Sequence, residues 1–152
     1  MKTTETPAKQ LAAFIAKYDP AVARLARATR AALRKRLPTA LELVYDNYQF
    51  LALGFGATER ASDAIVSLAV SPKGVSICFI HGATLPDPGK ILLGSGKQTR
   101  FVRLEGADTL AKPHVEALLR AALARAKTPL RETGRGITII KSISAKQRPR
   151  RR

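Results

Sequence analysis

One stretch of this sequence, residues 64–80, has the pattern of a β-hairpin. Its large apolar residues recur at every second position, as Val66, Leu68 and Val70 and then as Val75, Ile77 and Phe79. Because successive side chains of a strand point to opposite faces, each half presents one apolar face to a core. Between the halves, Pro72 has the φ that the second residue of a turn needs, and Gly74 can adopt a positive φ. Since an isolated hairpin is only marginally stable, we expect further strands and helices to cover its apolar face.

Length and composition indicate one folded domain with a basic extension. The chain has 152 residues, of which 45% are hydrophobic and 25% charged, which is long enough and apolar enough to bury a core. We expect a single domain over residues 1–126 and a basic C-terminal extension, partly disordered, over residues 127–152. A chain cut after Lys127 should therefore still fold.

The same features predict the compartment. No apolar run is long enough to cross a bilayer, and the N-terminus lacks the continuous apolar segment of a secretory signal. The one cysteine, Cys78, excludes an internal disulfide. We therefore expect a cytoplasmic protein that does not contact a membrane.

The order of helical and extended patterns predicts an α+β fold. Apolar residues at spacings of three and four, each time with a proline at the first helical position, predict helices over residues 7–17, 20–37 and 113–126. Extended patterns lie between the second and third helices. We predict an antiparallel sheet of four to five strands with the helices packed on one face. The run 137–143 also has strand propensity, and the sequence leaves open whether it joins the sheet.

The positive charge is concentrated in two segments. The formal net charge is +16. Residues 20–37 contain six basic residues and no acidic residue, and residues 127–152 contain nine basic residues and one acidic residue. The rest of the chain is close to balanced, so any role for the charge should lie in the second helix and the C-terminal extension.

In the second helix, the basic residues gather on the side opposite the apolar one. Like charges three and four positions apart cost roughly 0.2 to 0.5 kcal/mol per pair, and no glutamate of the helix offsets them. This stripe is either a solvated face or a surface that binds a polyanion. With two residues of a glycine-rich turn and the basic end of the chain, the candidate polyanion-binding residues are Arg24, Arg27, Arg30, Arg34, Lys35, Lys97, Arg100, Arg148, Arg150, Arg151 and Arg152.

The glycine-rich turn does not match a nucleotide-binding P-loop. That motif requires a glycine five positions before Gly96, where Ile91 stands, and a serine or threonine directly after Lys97, where Gln98 stands. Two alternatives remain for the turn: an anion-binding nest formed by its backbone with Lys97 and Arg100, or a tight turn without a ligand.

No residues have the pattern of a catalytic or metal centre. Cys78 lies within a strand pattern and fits a small buried hydrophobe, and His81 and His114 lie apart, with no cysteine or acidic partner at a metal-binding spacing. Glu42 and Asp46 fit surface positions as well as an acid–base pair. We expect no enzyme activity, no cofactor and no metal site.

Three aromatic residues, Tyr45, Tyr48 and Phe50, are candidates for lining a ligand pocket between the sheet and the helices. Core packing explains them equally well. The chain has no tryptophan and only 5% aromatic residues, so it lacks the stacking surfaces expected of a specific single-strand binder.

The order helix, helix, four strands and helix, with Gly94–Phe101 before the last of these strands and Pro113–Leu119 opening the last helix, resembles the YdhG-like family. This family is a small bacterial α+β family, and the resemblance covers Phe14 to Ala124. It implies helices on one face of an antiparallel sheet. Some members are described as frataxin-like iron chaperones, which implies an iron or small-ligand chaperone as an alternative function. Because the 11 acidic residues are scattered, we expect no tight iron binding.

Together, these patterns predict a non-enzymatic cytoplasmic domain that binds nucleic acid or another polyanion. Binding would use phosphate contacts from the second helix and the C-terminal extension, with low specificity. The alternatives are the chaperone function and an enzyme that uses a pocket near Tyr45.

Overall fold

A computed structural model describes residues 5–152 as three helices and six strands in an α+β arrangement. In chain order the elements are α1 (Pro7–Ala16), α2 (Pro20–Arg36), β1 (Leu41–Asp46), β2 (Leu51–Gly56), β3 (Ala64–Ser71), β4 (Gly74–Phe79), β5 (Arg100–Leu104), α3 (Pro113–Ala124) and β6 (Thr138–Ile143). The α+β class is confirmed, and the three predicted helices are confirmed to within two residues at each end.

Each helix begins where the sequence predicts. A proline occupies the first position of all three helices, where its missing N–H has no helical partner to lose. At α1, the hydroxyl of Thr6 accepts a hydrogen bond from the Lys9 backbone N–H at 3.2 Å, which satisfies one of the free donors of the first turn.

The six strands form a single sheet in the order β5-β4-β3-β2-β1-β6. All neighbours are antiparallel except β6, which runs parallel to β1. The prediction of an antiparallel sheet with four to five strands is therefore wrong in strand number and in the direction of the last strand. The residues of the predicted extension, 127–152, supply this sixth strand.

The hairpin of β3 and β4 lies inside the sheet, and its apolar face forms the centre of the core. Val66 and Ile77 are fully buried. The apolar residues of this face form one cluster with apolar residues of all three helices, so the helices pack on this side, which we call the covered face. On the opposite, open face the hairpin has small side chains such as Ser67 and Ser76, which are half-buried.

A close backbone contact fixes the position of β6. The backbone N–H of Gly136 donates to the Pro38 carbonyl at 2.9 Å, and a Cβ atom at Gly136 would overlap the backbone of Ala40. Only glycine fits so close an approach. Beyond β6, the backbone of Ser144 donates to the Asp46 carbonyl at 2.9 Å, so the end of the chain continues along the end of β1.

Candidate nucleic-acid interface

Two carboxylates of β1 lie on the covered face of the sheet. Glu42 and Asp46 are the cross-strand partners of Phe55 and Leu51, which belong to the core, and each is only 1% exposed. The alternative that these two acids are surface positions is therefore wrong. Because a buried carboxylate without partners is very costly, each requires cationic or hydrogen-bonding neighbours.

Glu42 is bound by two arginines of α2 and one threonine of β6. Arg30 donates from Nε to Oε2 and from Nη2 to Oε1, both at 2.7 Å. Arg34 Nη1 donates to Oε1 at 2.9 Å, and the hydroxyl of Thr138 donates to Oε1 at 2.7 Å. Arg30 therefore forms a bidentate pair with Glu42, the geometry in which a planar guanidinium binds a carboxylate through two N–H donors.

This cluster changes the interpretation of the basic stripe on α2. Arg30 and Arg34 were predicted to project away from the core toward a polyanion, with no acid to offset them. In the structure they lie beside the covered face and are only partly exposed. Glu42 offsets them from β1, which the sequence of the helix alone could not reveal. Their first role is to keep this buried carboxylate paired.

Glu42 should therefore make the stability of the protein depend on pH. Burial raises its pKa, but hydrogen bonds from Arg30 and Thr138 and the charges of Arg30 and Arg34 outweigh burial, so the pKa lies below its usual value. A carboxyl group with a lowered pKa stabilises the fold above its unfolded pKa, and this contribution disappears as pH falls through the folded pKa.

We expect Glu42→Gln to lower the free energy of unfolding by about 1–3 kcal/mol at neutral pH, because two arginines lose their counter-charge. The difference from the native chain should shrink as the pH falls below about 4. Urea unfolding of both proteins at several pH values measures it. Glu59→Gln is the control, since Glu59 is exposed and its pair with Lys141 lies at the surface. A loss that is the same at every pH would contradict the assignment.

Asp46 is bound mainly by the end of the chain. Arg150 Nη2 donates to Oδ1 at 3.0 Å, and Gln147 Nε2 donates to Oδ2 at 2.8 Å. Lys17 adds a longer contact of 3.5 Å to Oδ2. Arg150 also donates to the carbonyl groups of Asn47 and Tyr48, so a single side chain ties the end of the chain to the loop after β1.

The burial of Arg150 corrects its predicted role. It was grouped with the exposed basic end as a polyanion-binding residue, but it is only 5% exposed. Its guanidinium lies 5.8 Å from the centre of the Tyr18 ring. Burial raises the pKa of Tyr18 to about 12 despite the charge of Arg150. The carboxylate that Arg150 contacts is that of Asp46.

The last residues of the chain fold back onto the start of α2. Arg151 Nε donates to the Lys17 carbonyl at 3.2 Å, and the Arg152 backbone N–H donates to Asp19 Oδ2 at 3.3 Å. Asp19 is the residue immediately before α2. The two basic segments, which are separated by 89 residues in sequence, therefore meet at one end of the domain.

Six of the residues predicted to bind a polyanion are exposed at the end of the chain or along the outer side of α2. Within residues 5–152, none of these six forms an ion pair with a carboxylate side chain. The spacing from Arg24 to Lys35 is three helical turns, or about 16 Å. We call these six residues the basic surface: Arg24, Arg27, Lys35, Arg148, Arg151 and Arg152.

Lys97 and Arg100 lie elsewhere. Lys97 lies in the turn before β5 and Arg100 is the first residue of β5, which forms the opposite edge of the sheet from β6. The guanidinium of Arg100 donates from Nη1 to the carbonyl groups of Gly96 and Thr99, at 2.6 and 2.9 Å. Arg100 therefore holds its own turn together, and the structure does not bring either residue to the basic surface.

The three aromatic residues predicted to line a pocket between the sheet and the helices do not lie together there in the described part of the chain. Tyr45 pairs with Ala52 on the open face of the sheet, on the side away from the helices. Tyr48 and Phe50 lie in the loop between β1 and β2 and are 50% and 37% exposed. The backbone N–H of Arg148 donates to the Tyr48 carbonyl at 2.8 Å, so this loop adjoins the basic surface.

Residues 5–152 contain no group of three or more His, Cys, Asp or Glu residues that could hold a metal ion. The expectation that the chain does not bind iron tightly stays a prediction. No helix in the same range has the length and apolar character needed to cross a membrane.

Comparisons of this chain with protein-family models, with curated proteins and with solved structures found no match. Membership of the YdhG-like family therefore stays a prediction that depends on the order of elements and on the segments Gly94–Phe101 and Pro113–Leu119.

Proposed function

We propose that this chain is a non-enzymatic domain that binds nucleic acid through phosphate contacts from the basic surface. The observation on which this proposal depends is the return of the chain end to the start of α2, through the contacts of Arg151 and Arg152. Without that return, α2 and the extension would present two separate and smaller groups of charge.

The ion pairs of the basic residues support the same surface, because they separate the arginines bound to buried carboxylates from those that are free to bind a ligand. Arg30, Arg34 and Arg150 are engaged with buried carboxylates, so releasing them to a ligand would leave Glu42 or Asp46 unpaired at high cost. The basic surface has no such commitment, and its arginines can form charge-assisted hydrogen bonds with phosphate oxygens. Since phosphate contacts set affinity and base-edge contacts set specificity, we expect little dependence on base sequence.

Two exposed aromatic rings favour nucleic acid over other polyanions. The Tyr48 carbonyl accepts a hydrogen bond from the Arg148 backbone, and Phe50 lies in the same loop as Tyr48. Bases of a single strand stack on aromatic rings next to a basic surface. An acidic polysaccharide has no aromatic bases that could stack on these two side chains. The sequence predicts too few aromatic residues for a specific single-strand binder, but two exposed rings can stack bases without regard to their sequence. We therefore propose that single strands are bound at least as well as duplexes, without base specificity. We also propose a cytoplasmic location, on the strength of the single cysteine.

Fluorescence anisotropy with labelled single-stranded and duplex DNA of equal length tests this function. With about six phosphate contacts, duplex affinity should fall roughly a thousandfold between 50 and 200 mM salt. Replacing both Tyr48 and Phe50 by alanine should weaken single-strand binding by about 1–3 kcal/mol per lost stack and leave duplex binding nearly unchanged. Failure to bind either DNA or the corresponding RNA at about 50 mM salt would overturn the proposal.

A further inference from the structure

A cavity in the described part of the chain lies at the opposite end of the sheet from the basic surface. It is about 470 Å³ in volume and opens between the start of β3, the end of β4 and the end of α3. Asp46 and the end of the chain adjoin the other end of these strands, since Asp46 pairs with Leu51 and Leu51 pairs with Val70 at the end of β3. The cavity is therefore separate from the proposed nucleic-acid surface.

The floor of this cavity is apolar. Ile65, Phe79, Leu85 and Ala122 line it, and all four are buried members of the core. Its volume falls within the range of about 300–1,000 Å³ that small-molecule sites occupy. An apolar floor of this kind favours the burial of a hydrocarbon or aromatic body.

The rim of the same cavity is cationic. It contains Arg60, Arg125 and Lys127, and all three residues are exposed. Within residues 5–152, the side chains of Arg60 and Lys127 have no hydrogen-bond or ion-pair partner, whereas Arg125 is held in place by donating from Nη1 to the Thr84 carbonyl. The one acid of the lining, Asp63, already accepts a hydrogen bond from the Thr58 hydroxyl at 2.7 Å.

We infer that this cavity is a binding site for a small amphipathic anion, a molecule that joins an apolar body to a carboxylate or phosphate head group. The apolar body lies against Phe79 and Leu85, and the head group lies between Arg60, Arg125 and Lys127. A purely polar anion fits less well because the floor offers it no hydrogen bonds, and a neutral apolar molecule fits less well because it leaves the cationic rim without a partner.

Titration calorimetry on the full chain tests the inference with three probes: octanoate, octyl phosphate and octanol. We expect at least one of the two anions to bind with a dissociation constant below about 1 mM, and octanol to bind at least about tenfold more weakly. The stronger of the two anions identifies the head group. No binding of either anion at about 1 mM, or equal binding of octanol, would overturn the inference.

A rim variant locates the site. Arg60→Gln with Lys127→Gln should weaken anion binding by about tenfold or more, because charge-assisted hydrogen bonds are lost, and should leave DNA binding unchanged. The control, Lys73→Gln with Lys90→Gln, removes the same charge from exposed positions away from the cavity. Equal loss in both variants would overturn the assignment. Since all four side chains are exposed, the variants should fold, and the NMR methyl signal of Ile65 should shift on addition of the bound anion.

Discussion

Replacement of Arg150 by alanine should lower the free energy of unfolding by about 3–5 kcal/mol, the cost of leaving a buried charge without its main partner. Among the side chains of residues 5–152, Asp46 would keep only Gln147 and a long contact to Lys17. The carbonyl groups of Asn47 and Tyr48 would each lose a donor. Urea unfolding followed by circular dichroism measures the change.

The matched control is Arg148→Ala, two residues earlier, which removes the same charge from an exposed side chain and should shift stability by no more than about 0.5 kcal/mol. Equal unfolding midpoints for the two variants would show that the burial of Arg150 contributes nothing to stability.

A chain ending at Lys127 should lose more stability than either variant, because it also removes β6 from β1 and Thr138 from Glu42. This reverses the expectation from sequence that the extension is dispensable for folding.

The parts of the fold that local chemistry determines were predictable. A proline at the first position and apolar spacings of three and four place the three helices. The period of two in residues 64–80 places the hairpin, and Gly74 has a positive φ of 142° at its turn. In each case the cause and the effect lie within a few residues of each other.

The sixth strand was not predictable in the same way. Residues 137–143 have strand propensity, but propensity does not say which edge of the sheet they join or in which direction. Their pairing with β1 joins segments nearly a hundred residues apart, and a parallel pair needs a long crossover instead of a turn with its own sequence signal. The close approach of Gly136 to Ala40 becomes meaningful only once that pairing is known.

The candidate site was predictable only in outline. The sequence located the excess charge in α2 and in the chain end, but it could not separate binding residues from structural ones. One signal was present: Arg30 and Arg34 stand four apart on α2, and Glu42 lies on the next element. For Arg150 no signal exists, because the run 146–152 offers several similar arginines and only the folded structure selects the one that reaches Asp46.

Neutralising the basic surface should weaken DNA binding roughly a hundredfold or more at about 50 mM salt, because each residue is proposed to contact one phosphate. The change replaces all six residues by glutamine, which has a similar helix propensity to arginine and lysine. The fold should persist, since these side chains are exposed and form no ion pair with a carboxylate. Anisotropy titrations measure affinity, and circular dichroism checks the fold.

The most direct test of the proposed surface is the salt dependence of duplex binding in two variants with the same net charge. One lacks the basic surface, and the other has glutamine at six exposed positions elsewhere: Lys73, Lys90, Lys97, Arg103, Lys112 and Arg120. Both fall from +16 to +10. The slope of log affinity against log salt should be about −5 for the native chain and for the second variant, and close to zero for the first. Equal slopes in the two variants would mean that net charge alone governs binding, and would contradict a defined basic surface.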